Sequence, residues 1–353
     1  MTSFDAPDPS STCSENSVRS LTDNLSDAVP TQYSKQSVHL QPKKSACLSE
    51  PLDMDPSHTG FGPVILPLSA LQPAIFSTVE TLRLSNRPPM SAVVLSCPHA
   101  GRIYPAEFIT ASIADITDLR GLEDFGVDQI VGGAIDRGVP CVTNKISRAY
   151  IDVNRPIDAL DHLMLSSPPA SSDATPSRHV RAGYGLLPRL TAAREVIHRQ
   201  LLPYDEVEQR VALVHQPYHS ALRSALDTAQ TDSGHAILID CHSMPSHDQQ
   251  NKPLADIILG DLNHSTLDKK IGKKLSSLIE NAGFSIAWNC PYAGGFITKN
   301  YGCANSNQQS IQIEINRRLY MNRKYELDNS GVTRVSGLIN KICAALSDMV
   351  VKG

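Results

Sequence analysis

Hydrophobic residues in this chain gather in short runs that end abruptly in polar or turn residues. "AVVLSCPHAG" (92–101) is an apolar run halted by Pro98 and Gly101, the form of a buried strand that ends in a turn. "GVPCVTNKI" (138–146) and "HAILIDCHS" (235–243) have the same form, and "ADIILG" (255–260) and "SIQIEIN" (310–316) complete a set of five predicted strands. Helical periodicity lies between them. "LEDFGVDQIVGGAIDRG" sets Leu122, Phe125, Val127, Ile130, Val131 and Ile135 at roughly helical spacing, with Gly138 as a stop. Residues 189–229 read as a long amphipathic helical stretch interrupted near Pro203 and Pro217. "LDKKIGKKLSSLIENAG" (267–283) reads as a helix with a solvated basic face and a glycine cap. Strands alternating with helices predict an α/β layered fold, with a mixed or largely parallel sheet flanked by helices.

Composition changes this picture at one end. Residues 1–60 are rich in Ser, Pro, Asp and Thr and have no sustained apolar period. Such a segment cannot bury enough surface to offset its ordering entropy, so it is expected to be a disordered extension of a single domain over 63–350. The net charge of −4 gives no reason to expect nucleic acid or an anionic membrane as partner. No apolar run approaches the length of a membrane span. "MTSFDAPDPSSTCSENS" lacks the basic-then-apolar order of a secretory signal, and the eight cysteines are scattered without a CxxC pair. Together these features predict reduced thiols and a cytoplasmic location.

In open α/β sheets ligands gather at the carboxyl ends of strands. Here those ends carry His99, the "DVNR" segment (152–155), His242 and Glu314. A lone histidine in a turn is more often hydrogen-bonded than ligating. Two of them at strand ends beside carboxylates suit a metal site, Zn²⁺ by donor type. The third ligand is open among Glu123, Asp124 and Asp128, which the spacing puts at one helix start with Asp124 and Asp128 on a common face. In "IQIEIN", Glu314 falls opposite the three isoleucines. It is either the exposed face of an edge strand or a general base in a cleft. Arg155 beside Asn154 could clamp a substrate carboxylate or form a structural ion pair with Asp152. Asp240 could orient His242 from behind. "PYAGGFITKNYG" (291–302) has the glycines of a surface loop or of one that closes over substrate.

Nine ordered segments resemble the N-formylglutamate amidohydrolase family: "SCPHAG", "EDFGVDQI", "SRAYIDVNRP", "GYGLLPR", "HQPYHSAL", "DCHSMPS", "ADIILGD", "PYAGGFITKNYG" and "QIEINRRLYM", over roughly residues 90–325. The resemblance implies a fold similar to zinc carboxypeptidases and aspartoacylases. It implies a hydrolase of linear amides that cleaves N-formyl-L-glutamate, or a related N-acyl amino acid, in amino-acid catabolism and histidine degradation. By position it implies His99, Asp124 and His242 as ligands of one Zn²⁺, Glu314 as the carboxylate that activates water, and Arg155, Asn154 and Arg189 as substrate-binding residues. Two positions depart from the family pattern. The usual PHSG turn has Ala100, and the usual aromatic-His pair reads Phe125-Gly126. The rival readings are a zinc carboxypeptidase or amidase of the same architecture acting on peptides or other N-acyl amino acids, and a relative that binds without turnover.

Overall fold

All five predicted strands form, and three short ones join them. In the computed structural model, which describes residues 62–71, 91–167, 176–322 and 326–351, they are β1 (Val64–Leu66), β2 (Val93–Cys97), β3 (Ile103–Pro105), β4 (Cys141–Thr143), β5 (Ala236–Met244), β6 (Ile257–Gly260), β7 (Ile286–Trp288) and β8 (Gln308–Asn316). β1 and β3 pair separately, and the other six make one sheet in the order β4-β2-β5-β8-β6-β7. Neighbours run parallel except β6 and β8, which are antiparallel. The expected disordered extension lies outside the described residues.

Alternation along the strands divides the sheet into two unlike faces. Cys97, Ile239, Cys241, Ile311, Ile313 and Ile315 belong to an apolar core. That core also takes side chains from helices α1 (Val127–Ile135), α3 (Lys269–Asn281) and α5 (Asn329–Val351). On the other face Val94 and Leu238 join a second core with helix α2 (Gln216–Ser233), which packs on β5, β2 and β4. Further along that second face the pattern turns polar. Register pairs Ser96 with Asp240, Asp240 with Gln312, and His242 with Glu314. β8 is therefore a central strand with partners on both sides, so Glu314 lies inside the protein and not on an exposed edge.

Three helical expectations need correction. Residues 189–203 are irregular, with Arg194 at φ 67° and an isolated Leu190–Val196 bridge, and helix begins only after Pro203. Pro217 does not interrupt the chain. A wide π-turn over Val211–His215 precedes it, in which the Gln216 N–H reaches the Val211 carbonyl, and the widened turn accommodates the ring. α1 starts at Val127 because Gly126 is left-handed at φ 79°, so Asp124 sits in the preceding turn and shares no helix face with Asp128. The thiol expectation holds for Cys97, Cys141, Cys241, Cys303 and Cys343, which are free, but Cys290 is disulfide-bonded. Among the described residues no helix is long and apolar enough to cross a membrane.

Candidate metal and catalytic site

The polar end of the second face is built from turns that leave little freedom. After β2 the chain bends through Pro98 and His99, and a Cβ at Gly101 would overlap the Ile146 carbonyl. The His99 carbonyl accepts the Asp124 N–H at 2.9 Å, which ties the histidine turn to the acidic one. His242 arrives on β5, beside Glu314 on β8. One donor atom from each of His99, Asp124 and His242 lies within 4.8 Å of the others, and all three side chains are buried.

Each imidazole is oriented by its own carboxylate. Asp152 Oδ1 is 2.8 Å from His99 Nε2, and Asp240 Oδ2 is 3.0 Å from His242 Nε2. Carboxylates at both Nε2 atoms hold protons there and turn both Nδ1 atoms toward Asp124, whose Oδ2 lies 2.9 Å from His242 Nδ1 and 3.4 Å from His99 Nδ1. The His99 Nδ1 is buried without a hydrogen bond. An unsatisfied imidazole nitrogen among a second imidazole and a carboxylate is a fitting donor set for a divalent ion. Asp124 is steadied in turn. Its Oδ1 accepts from Ser243 Oγ at 3.1 Å and lies 3.4 Å from Arg317 Nη2, which also donates to the Glu123 carbonyl. Behind Asp240, Ser96 Oγ donates to Oδ1 at 2.7 Å, and Tyr218 hydroxyl donates to Ser96.

Charge follows this geometry. Burial raises the Asp124 carboxyl, but the His242 and His99 contacts prevail and hold it well below the usual range. Burial likewise opposes Asp152, which Arg148, His99 and Arg155 keep ionised. Glu314 is different. Burial pushes it up to about 7, with His242 pulling it down and Asp124 and Asp240 pushing it further up. A carboxylate near that value can both take and return a proton at neutral pH.

Glu123 and Asp128, the other two acids of that segment, are used elsewhere. Glu123 accepts from the Tyr104 hydroxyl at 2.6 Å, and Asp128 pairs with Arg102 at 2.8 Å. Arg155 approaches the site through Asp152 at 3.8 Å, while its Nε and Nη1 hold the Tyr184 and Asn154 carbonyls. Asn154 is used at both ends. Its Nδ2 is 3.2 Å from His242 Nε2 and 3.4 Å from Asp240 Oδ2, and its Oδ1 accepts the Ile297 N–H at 2.8 Å, joining the site to the first turn of helix α4 (Phe296–Tyr301). Arg189 pairs with Asp161 at 2.8 Å and reaches none of the three clustered residues.

Sequence reasoning missed Asp152 as the partner of His99, and also Arg148, Ser243, Arg317 and Gln312. Arg148 donates to Asp152 Oδ2 at 2.9 Å and feels both Asp124 and Glu314. Asp152 and Arg148 both fall inside "SRAYIDVNRP", so the segment was visible although the partners within it were not.

Comparison with known proteins agrees with this architecture. The sequence profile of the N-formylglutamate amidohydrolase family matches residues 91–321. An N-formylglutamate deformylase of Pseudomonas putida is 29% identical over 234 residues, covering 65% of this chain and 81% of its own. One from Pseudomonas aeruginosa is 27% identical over 252 residues, covering 69% and 88%. The crystal structure of N-formylglutamate amidohydrolase from Ralstonia eutropha superposes with a TM-score of 0.70 at 29% identity, over 76% of this chain and 96% of the other. A protein of Agrobacterium tumefaciens shares the fold at a TM-score of 0.56 and 17% identity, over 73% and 92%.

Proposed function

Because the chain belongs to the N-formylglutamate amidohydrolase family, we propose that it hydrolyses the amide of N-formyl-L-glutamate to formate and glutamate with one Zn²⁺ held by His99 Nδ1, His242 Nδ1 and Asp124. The observation that carries the proposal is the convergence of these three donors beside Glu314, with a carboxylate behind each imidazole. When bound, such an ion supplies Lewis acidity toward a carbonyl and toward water. The remaining work falls to the chain. Glu314 takes a proton from the attacking water as oxygen adds to the formyl carbon. It then delivers that proton to the departing nitrogen as the C–N bond breaks. Arg148, held by Asp152, is a fixed cation that offsets negative charge developing on the formyl oxygen.

A substrate with two carboxylates needs a guanidinium with N–H groups left to donate. Arg155 Nη2 has no hydrogen bond among the described residues, so Arg155 serves as the carboxylate clamp. Asn154 fixes the first turn of α4. Arg189 steadies the 183–190 turn, whose Tyr184 carbonyl holds Arg155. The catalytic domain in this reading is 63–350, of which the described part from Gly62 onward forms one compact unit. The reading places the enzyme in amino-acid catabolism and in the cytoplasm. A panel of N-formyl and N-acetyl amino acids tests it. Turnover highest for N-formyl-L-glutamate supports the proposal. Preference for an acetyl amino acid or a peptide by folded, metal-loaded protein would replace the substrate and keep the site.

A further inference from the structure

Gln312 is the polar residue of the site face that the mechanism above does not use. It is 6% exposed and lies between Asp240 on β5 and Gly260 on β6. Its Nε2 donates to Glu314 Oε1 at 2.8 Å, which fixes the base and also fixes which end of the amide faces it. The other end, Oε1, is buried with no hydrogen-bond partner. An unpaired buried acceptor is destabilising, and such a group in a site is commonly one that a ligand completes. With its carboxylates ionised, N-formyl-L-glutamate offers one hydrogen-bond donor, its amide N–H.

We infer that Gln312 reads the scissile amide: Oε1 accepts the N–H of the bond to be cut while Nε2 holds Glu314 against the same nitrogen. The inference rests on the amidohydrolase reading and adds a basis for selecting amides over esters. Addition of water makes the nitrogen pyramidal. The N–H stays on Gln312 while the lone pair turns to the proton on Glu314, so the two side chains of one strand face bracket the leaving group. An ester oxygen at that place would set a lone pair against Oε1. The cost would be that of an unpaired, desolvated acceptor. The backbone of Ala293 and Gly294 packs against Gly260 beside Gln312, and Gly295 packs on Asn154.

The test compares N-formyl-L-glutamate with the formate ester of L-2-hydroxyglutarate on metal-loaded full-length protein. Wild type, Gln312→Met and Gln312→Glu are each assayed with both substrates. The amide-to-ester ratio of kcat/KM within one preparation cancels any difference in active fraction or folding yield. Gln312→Met, isosteric but without the acceptor, is expected to lower that ratio at least about tenfold. Gln312→Glu, which keeps an acceptor oxygen and loses the donor to Glu314, is expected to slow both substrates and preserve the ratio. An unchanged ratio in Gln312→Met, with wild type active on the amide, overturns this inference and leaves the functional reading standing. Wild type inert on N-formyl-L-glutamate overturns the functional reading and this inference with it.

Discussion

Asp240→Asn is the sharpest perturbation of the site because it keeps shape and removes one charge. Asp240 is fully buried, accepts from Ser96 at 2.7 Å and faces His242 Nε2 at 3.0 Å. An asparagine there can still accept from Ser96 through Oδ1, which leaves Nδ2 pointing at the imidazole. Two N–H groups cannot face each other, so the His242 proton moves to Nδ1, the atom that would ligate the metal. Metal binding must then reverse that tautomer or turn the amide. Loss of such a supporting carboxylate costs about 10–100-fold in metal affinity, about 1.4–2.7 kcal/mol. We expect the upper end, since Ser96 opposes the amide flip. Ser96→Ala, which deletes the 2.7 Å bond and spares the charge, should cost only severalfold. The assay is competition for Zn²⁺ against a chromophoric chelator, with circular dichroism to verify the fold. Unchanged affinity in a folded Asp240→Asn protein would refute the assignment of His242 Nδ1 as a ligand.

Glu314→Gln should lower kcat by about 10²–10⁴-fold while metal content stays at one ion per chain, as measured by elemental analysis. Parallel loss of metal would instead make Glu314 a ligand. A second expectation concerns stability. Burial, aided by Arg210, depresses the His198 imidazole to about 3. Its folded value lies below the unfolded one of about 6.5, so the unfolded chain binds the extra proton first. The stability it contributes is present above pH 6.5 and is lost as pH falls toward 3, by at most about 1.4 kcal/mol per pH unit. Urea unfolding of His198→Phe should show a shallower acid slope than wild type, and equal slopes would refute the assignment.

The sequence carried the strands well because a central strand buried on both faces must be apolar for several residues, as in "AVVLSC" and "HAILIDCHS". The histidines were legible for the same reason, since a polar group directly after such a run has to be explained. The third ligand was not settled by spacing. Glu123, Asp124 and Asp128 differ only in what lies across from them, namely Tyr104, the two histidines and Arg102, all distant in sequence. Gly126 delays the helix and so leaves Asp124, not Asp128, beside the two histidines. The 189–203 segment misled because amphipathic periodicity does not register a left-handed residue such as Arg194. Asp152 reads from sequence only as a partner of Arg155, because its bond to His99 crosses 53 residues. Gln312 looked like one position of an alternating strand. Its meaning appears only with the neighbouring strands in place.

The account stands most directly on release of formate and glutamate from N-formyl-L-glutamate by the purified protein, before chelation, after it, and after return of Zn²⁺. It predicts turnover that chelation abolishes and zinc restores, with Asp124→Ala unable to recover. Turnover that persists in fully metal-free protein, or recovery by Asp124→Ala equal to wild type, would contradict it.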